Sequence, residues 1–211
     1  MIALIAGSTG LVGSFLLKQL SESEQYTEVI SLVRKSTNTQ IAKVTERVVD
    51  FDRLAETENL PDKIDTVFCC LGTTMKQAGS KSEFYKVDYE YVLDLAKQAQ
   101  KHQADTFVLN SALGADKNSA FFYNRVKGEI EEALHNLNFP NLIIVRPSLL
   151  LGKRNDERFG EKLGGLFFKC FGMLFFGPLK KYKAVRGEAV AARMLKSSFK
   201  NGKHVIESDR I

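Results

Sequence analysis

The 211-residue chain contains no tryptophan, three cysteines, three histidines and four prolines. Each scarcity removes a class of function. Cys69, Cys70 and Cys170 form an odd, unpatterned set. Adjacent cysteines in an extended apolar run point to opposite faces, which fits neither a disulfide framework nor a metal site. They read as small buried hydrophobes. His102, His135 and His204 are scattered, so a histidine-based metal or hydrolase centre has little support. No apolar run approaches the roughly 20 residues needed to cross a bilayer, so no integral membrane span is expected. The opening residues MIALIAGSTG lack the basic n-region of a secretory signal, and the expected location is the cytoplasm.

What is present is an ordinary globular composition, 44% hydrophobic and 26% charged. It suits a single domain over residues 1–211, long enough for a full core. The net charge of +5 is uneven: nine basic and three acidic residues lie between Leu151 and Gly187. That segment suits an anionic partner or a plain solvated surface. No nucleic-acid module accompanies it, so no nucleic-acid partner is expected.

The most informative stretch is Met1 to Gly13, MIALIAGSTGLVG. Six β-prone residues lead into Gly7, Gly10 and Gly13, followed by an amphipathic run from Leu11 to Leu20. Strand, glycine turn and helix is the context in which such glycines hold a dinucleotide. Gly7 would let the chain turn off the strand. Gly10 would let the backbone, with Ser8, Thr9, Leu11 and Val12, approach a pyrophosphate at the helix N-terminus. Gly13 would let the helix pack close to the sheet.

Further strands are expected at Glu28–Val33, Arg47–Phe51, Thr66–Leu71, Thr106–Leu109, Leu142–Val145 and His204–Ile206. Helices are expected over Glu83–Lys101, with a stripe of Phe84, Val87, Tyr91, Leu95 and Ala99, and over Ser119–Leu137 and Glu188–Ser198. This alternation predicts an α/β fold, a doubly wound parallel sheet with right-handed crossovers. Arg34 and Lys35 close the second strand. An acid at that point would hold the 2′-hydroxyl of NAD, whereas cations suit the 2′-phosphate of NADP. Asp50-Phe51 lies where an adenine ring could rest. The Leu71-Gly72-Thr73 turn ends an apolar strand, in the crevice where open α/β sheets bind ligands.

Tyr123 and Lys127 are four apart on one helix face, and Ser111 ends the preceding strand. Together they can serve a carbonyl that accepts hydride. A phenol donates the proton, an ammonium beside it brings that phenol toward a useful acidity, and a serine hydroxyl holds the carbonyl oxygen.

These residues resemble the short-chain dehydrogenase/reductase superfamily in its atypical or extended branch. VDFDRL, VFCCLGTT, SALGADKNSAFFYNRVKGE and VRPSLLLGKR look closest to the Tat-interacting-protein oxidoreductases, over roughly residues 1–158. The resemblance implies a Rossmann fold binding NADP(H), with Pro147, Ser148 and Leu149 at the nicotinamide. It implies Tyr123 as acid–base, Lys127 as its partner and ribose contact, and Ser111 as carbonyl polariser. Many relatives place an asparagine for proton relay where this chain has Asp88, which accepts but cannot donate as an amide does. The residues after Pro147 leave room for a small C-terminal lid or substrate segment, read as 153–186, but not for a nucleotide-sugar lobe.

Two functions follow. One is an NADPH-dependent reductase of a small carbonyl or similar electrophile, in a chain that could form a homodimer. The other is an NADP(H)-binding regulatory protein acting through a protein partner, since the family is named for partner binding.

Overall fold

The computed structural model describes residues 1–57, 60–151 and 182–211. The apolar opening forms strand β1 (Ile2–Ala6), and the run after the glycines forms helix α1 (Leu11–Glu22). Strand β2 (Glu28–Val33) follows, then β3 (Val44–Val48) and a short 3-10 helix (Phe51–Glu56). Strand β4 (Thr66–Cys69) leads to a small helix α2 (Met75–Ala78). Helices α3 (Lys81–Tyr85) and α4 (Tyr91–Lys101) are joined by one π-helical turn (Lys86–Glu90). Then come β5 (Thr106–Asn110), α5 (Phe122–Asn136), β6 (Asn141–Arg146), helix α6 (Gly187–Ser197) and β9 (Gly202–Glu207). A two-residue ladder, β7 (Leu150–Leu151) with β8 (Val185–Arg186), stands apart from the main sheet.

The main sheet has the order β3-β2-β1-β4-β5-β6-β9, and each adjacent pair is parallel. The order reverses between β1 and β4, so the crevice at their carboxyl ends is the switch point where such sheets take ligands. Alternate strand residues feed two cores, as burial on both faces requires. Leu4, Ala6, Val67 and Phe107 pack with Val92 and Leu95 of α4 and Ile130 of α5. Ala3, Ile5, Phe68 and Val108 pack with Leu16 and Leu20 of α1 and Met194 of α6. The doubly wound α/β expectation is met.

Two expectations are corrected. The third strand ends at Val48, three residues before Phe51, because Asp50 turns the chain into the 3-10 helix by accepting a hydrogen bond from the Asp52 amide at 3.0 Å. Along Glu83–Lys101, Phe84, Leu95 and Ala99 of the expected stripe are buried, but Val87 and Tyr91 are only half-buried while Asp88 and Val92 are fully buried. The π turn is the reason: its wider winding changes which residues face the sheet. The 153–186 lid reading lies almost wholly outside the described residues, as does Cys170.

The glycine turn is held by backbone contact. Gly7 has φ +85°, and a Cβ on Gly13 would stand 2.1 Å from the Gly7 carbonyl oxygen. Replacing Gly13 by alanine should therefore cost about 1–3 kcal/mol, since the neighbour is backbone with nowhere to go. A lowered urea midpoint with an unchanged m-value is the expected readout; an unchanged midpoint would contradict the close packing.

Candidate functional site

At the switch point, helix α1 begins with Gly10 as its cap, no capping side chain and no acidic residue in its first turn. Its leading N–H groups, on Leu11 and Val12, therefore lie open to an anion together with the positive end of the helix dipole. Gly7 is packed so closely that a Cβ would lie 2.5 Å from the Cys70 carbonyl group. Ser8 is buried and accepts a hydrogen bond from the Ser31 hydroxyl at 2.8 Å, while Thr9 is exposed. Val12 and Gly13 are buried and pack the helix down, rather than facing the crevice.

Arg34 and Lys35 are exposed at the end of β2 and make no ion pair among the described residues. Asp50 is exposed, and its carboxylate caps the 3-10 helix. Phe51 is 5% exposed and packs against Tyr91 with ring centres 5.7 Å apart. Its ring therefore packs into the core.

The chemistry-bearing residues meet at the carboxyl ends of β4 and β5. Lys127, on α5, is buried, with its Nζ 2.8 Å from Oδ1 of Asp88, itself fully buried on the π turn. The other Asp88 oxygen accepts the Thr73 amide at 2.8 Å. Gly72 lies over this pair: a Cβ there would stand 3.4 Å from Asp88 Oδ1 and 3.8 Å from Lys127 Nζ. Burial alone would pull the Lys127 pKa down, but the Asp88 carboxylate, with Tyr123 adding to it, raises it above the usual lysine value. Cys69 lies in the same field, and burial pushes its thiol up to about 12. Cys69 and Cys70 are free; Cys69 is buried, as a small hydrophobe would be, and Cys70 is half-buried.

Tyr123 is 38% exposed at the first turn of α5, its ring 5.5 Å from that of Phe84. Ser111 is buried and donates its hydroxyl proton to Glu131, four residues beyond Lys127 on α5. Glu131 in turn receives Nε of Arg146 at 3.1 Å on both oxygens, and Arg146 reaches Glu207 at 2.9 Å. This chain was not foreseen. Its signal was legible, since Lys127 and Glu131 are also four apart and share a face. Pro147 is buried with its carbonyl accepting the Leu113 amide at 2.8 Å; Ser148 is tied to Ser208 and Lys183, and Leu149 is exposed. Leu71 is half-buried above β4. A cavity of about 730 Å³, bordered by Leu113, Gly114, Asn124, Arg146 and Glu207, opens at the same edge of the sheet. Among the described residues no cluster of metal-ligating side chains occurs.

The glycine cradle, the uncapped helix start, the cations of Arg34 and Lys35, unpaired among the described residues, and the buried ammonium together fit a dinucleotide. Comparison with known proteins agrees. A model of the NAD(P)H-binding family matches residues 7–161. The chain is 34% identical to the mitochondrial protein FMP52 of Eremothecium gossypii, over 100% of this chain and 96% of that one. It is 38% identical to HTATIP2 of Rattus norvegicus, over 78% of this chain and 69% of that one. Among solved structures, a UDP-glucose 4-epimerase from Thermotoga maritima superposes with TM-score 0.71 at 19% identity, covering 100% of this chain and 78% of that one. At that identity the likeness speaks for the fold alone. The cytoplasmic expectation is corrected by these relatives: the FMP52 proteins of Eremothecium gossypii, Candida glabrata and Debaryomyces hansenii are all named mitochondrial. A missing secretory signal never distinguished those two locations.

The raised pKa of Lys127 carries a sign. Its ion pair contributes stability fully below the unfolded lysine value, about 10.4, and loses it as pH rises through the higher folded value. The stability margin of the wild type over Lys127→Met should therefore stay level from about pH 6 to 9 and shrink above about pH 10.5. Denaturant melts across that range test it; a margin that falls between pH 6 and 9 would refute the pairing.

Proposed function

The chain belongs to the NAD(P)H-binding family, as an atypical short-chain dehydrogenase/reductase related to the Tat-interacting-protein group, and from that premise we propose that it is an NADPH-dependent reductase of a small carbonyl compound. The observation that carries this reading is the buried Lys127 ammonium, held at the mouth of the crevice beneath Gly72 and one helical turn from Tyr123. A lysine is rarely buried without a task, and here it lies one helical turn from a phenol, Tyr123, at the ligand-binding edge of the sheet.

In this reading the open N–H groups of α1 hold the pyrophosphate, and Arg34 with Lys35 holds the 2′-phosphate. Leu71, Gly72 and Thr73 border the ribose, and Pro147, Ser148 and Leu149 border the ring. When bound, the cofactor supplies the hydride. Tyr123 gives its proton to the carbonyl oxygen as charge develops there, and Lys127 holds the ribose side of the crevice and steadies the phenol electrostatically. Ser111 aligns the carbonyl oxygen, which requires its hydroxyl to turn from Glu131. The cavity beside Arg146 and Leu113 receives the rest of a small substrate, with charged and apolar walls.

A second reading, an NADP(H)-binding regulatory protein that acts through a partner, draws on Ser111. Its proton is already committed to Glu131, as it would be in a site that binds a nucleotide without turning over.

Tyr123→Phe should lower NADPH-dependent carbonyl reduction by about a hundredfold or more while leaving NADPH affinity nearly intact. Turnover that survives unchanged in this variant would overturn the catalytic assignment. Arg34→Ala should weaken NADPH by roughly tenfold and NADH little, because only the former carries the 2′-phosphate. The affinities can be read from the reduced nicotinamide's own emission, against the low background of a chain without tryptophan. Equal losses for both cofactors would refute the phosphate role.

A further inference from the structure

The oxidised and reduced forms of a nicotinamide cofactor differ by one positive charge on the ring. A site that must hold both therefore depends on the charge already fixed in its walls. Here the crevice contains a buried ammonium, Lys127, and a fully buried carboxylate, Asp88, 2.8 Å apart. The π turn delivers Asp88 to that place, and the Thr73 amide holds its second oxygen. Cys69, beside the pair, contributes no charge near neutral pH, with its thiol pushed up to about 12 by burial. Of the remaining groups that interact with Lys127, Tyr123 is an uncharged phenol when it serves as proton donor. The charges nearest Lys127 thus cancel as one ion pair, while Glu131, Arg146 and Glu207 form a separate network around Ser111.

We propose that Asp88 is an electrostatic positioning residue that sets which redox state of the nicotinamide the site prefers: by cancelling the buried Lys127 charge, it lets the crevice accept the cationic, oxidised ring as well as the neutral, reduced one. The inference rests on the reading that Lys127 faces the nicotinamide end of the cofactor. Without Asp88, an unopposed ammonium in a poorly screened interior would repel the oxidised ring and leave the reduced ring almost untouched. Without Lys127, a carboxylate would attract the oxidised ring instead. Asp88 also anchors the turn that borders the ribose through Thr73. That structural task should affect both redox states alike, because they share the ribose.

The test is a comparison of dissociation constants, with no substrate and no turnover. NADPH is titrated by its own fluorescence, and NADP+ by displacement of NADPH, in low salt at about pH 6.5 and about pH 8, the lower pH favouring retention of the Lys127 ammonium once its carboxylate is removed. The proteins are the wild type, Asp88→Asn, Lys127→Met and the double variant, each checked for folding by its thermal melt. Asp88→Asn should weaken NADP+ relative to NADPH by roughly tenfold, the order expected for like charges in an interior of effective dielectric about 20. Lys127→Met should move the ratio the opposite way, and the double variant should restore it toward that of the wild type. A ratio that stays constant across the folded variants, or moves in one direction for both single variants, would overturn the inference. If Asp88→Asn fails to fold, Lys127→Met and the double variant still decide it by the sign of their difference. A wild type that binds neither cofactor would instead refute the underlying cofactor reading. Those two failures are distinguishable.

Discussion

A buried ammonium cannot stand alone. Moving Lys127 out of water costs several kcal/mol even after the surroundings relax, and that cost is offset only by a partner of good geometry. Asp88 is that partner, and much of the local architecture exists to deliver it. Ser80 caps α3, the winding widens into a π turn at Lys86–Glu90, and Asp88 emerges against Lys127 rather than toward solvent. Gly72 has no side chain to block the approach, and Gly128 lets the loop before α5 press onto the helix beside Lys127. A Cβ on Gly128 would stand 2.1 Å from the Lys117 amide nitrogen. The pair thus joins the turn after β4, the π turn and α5, three segments distant in sequence, at one end of the sheet.

The same end of the sheet is where strand order reverses, and this gives the pair its position relative to a ligand. Strands β1 and β4 diverge in connection, α1 opens its N-terminus into the gap, and α5 closes it from the side. Below that edge both faces of the sheet are apolar and tightly packed. Among the buried polar groups, the ionisable ones gather at the carboxyl-end edge, Asp88, Lys127 and Glu131, with Ser8 and Ser111 beside them; Thr66 and Thr106 instead lie at the amino ends of β4 and β5. Such groups are costly in a core and belong where a ligand or one another can satisfy them.

Most of the framework was legible because it depends on local chemistry. The strand β2 has its expected bounds, and α1, β5, β6 and α6 lie within two residues of theirs, since apolar runs and amphipathic repeats specify them directly. The glycine turn was legible for the same reason: Gly7 and Gly13 are required by backbone approach at short range. What escaped depends on tertiary partners. A π turn has no residue signature, so the burial of Asp88 in place of Val87 and Tyr91 could not be read from periodicity. The end of β3 moved because Asp50 caps a turn, which competes with strand extension. Phe51 follows that turn, and its ring packs on Tyr91.

The Ser111–Glu131–Arg146–Glu207 chain shows how a site gains rigidity from the far edge of a sheet. Arg146 ends β6 and Glu207 ends β9, so their ion pair fastens the last strand to its neighbour at the ligand edge. Arg146 also forks onto Glu131, which receives the Ser111 hydroxyl from the end of β5. Charge-assisted, bidentate contacts of this kind are directional as well as strong. They fix the rotamer of Glu131, and through it the resting direction of Ser111. A serine held in this way by a carboxylate has a defined starting point, and it turns toward a substrate only when the substrate offers a better acceptor than Glu131. A bare carbonyl is a weaker acceptor than a carboxylate; an oxygen on which negative charge is developing is not. In the reductase reading, a Ser111 held this way would gain its partner as charge develops rather than before it, which is the timing that lowers a barrier instead of deepening a ground state.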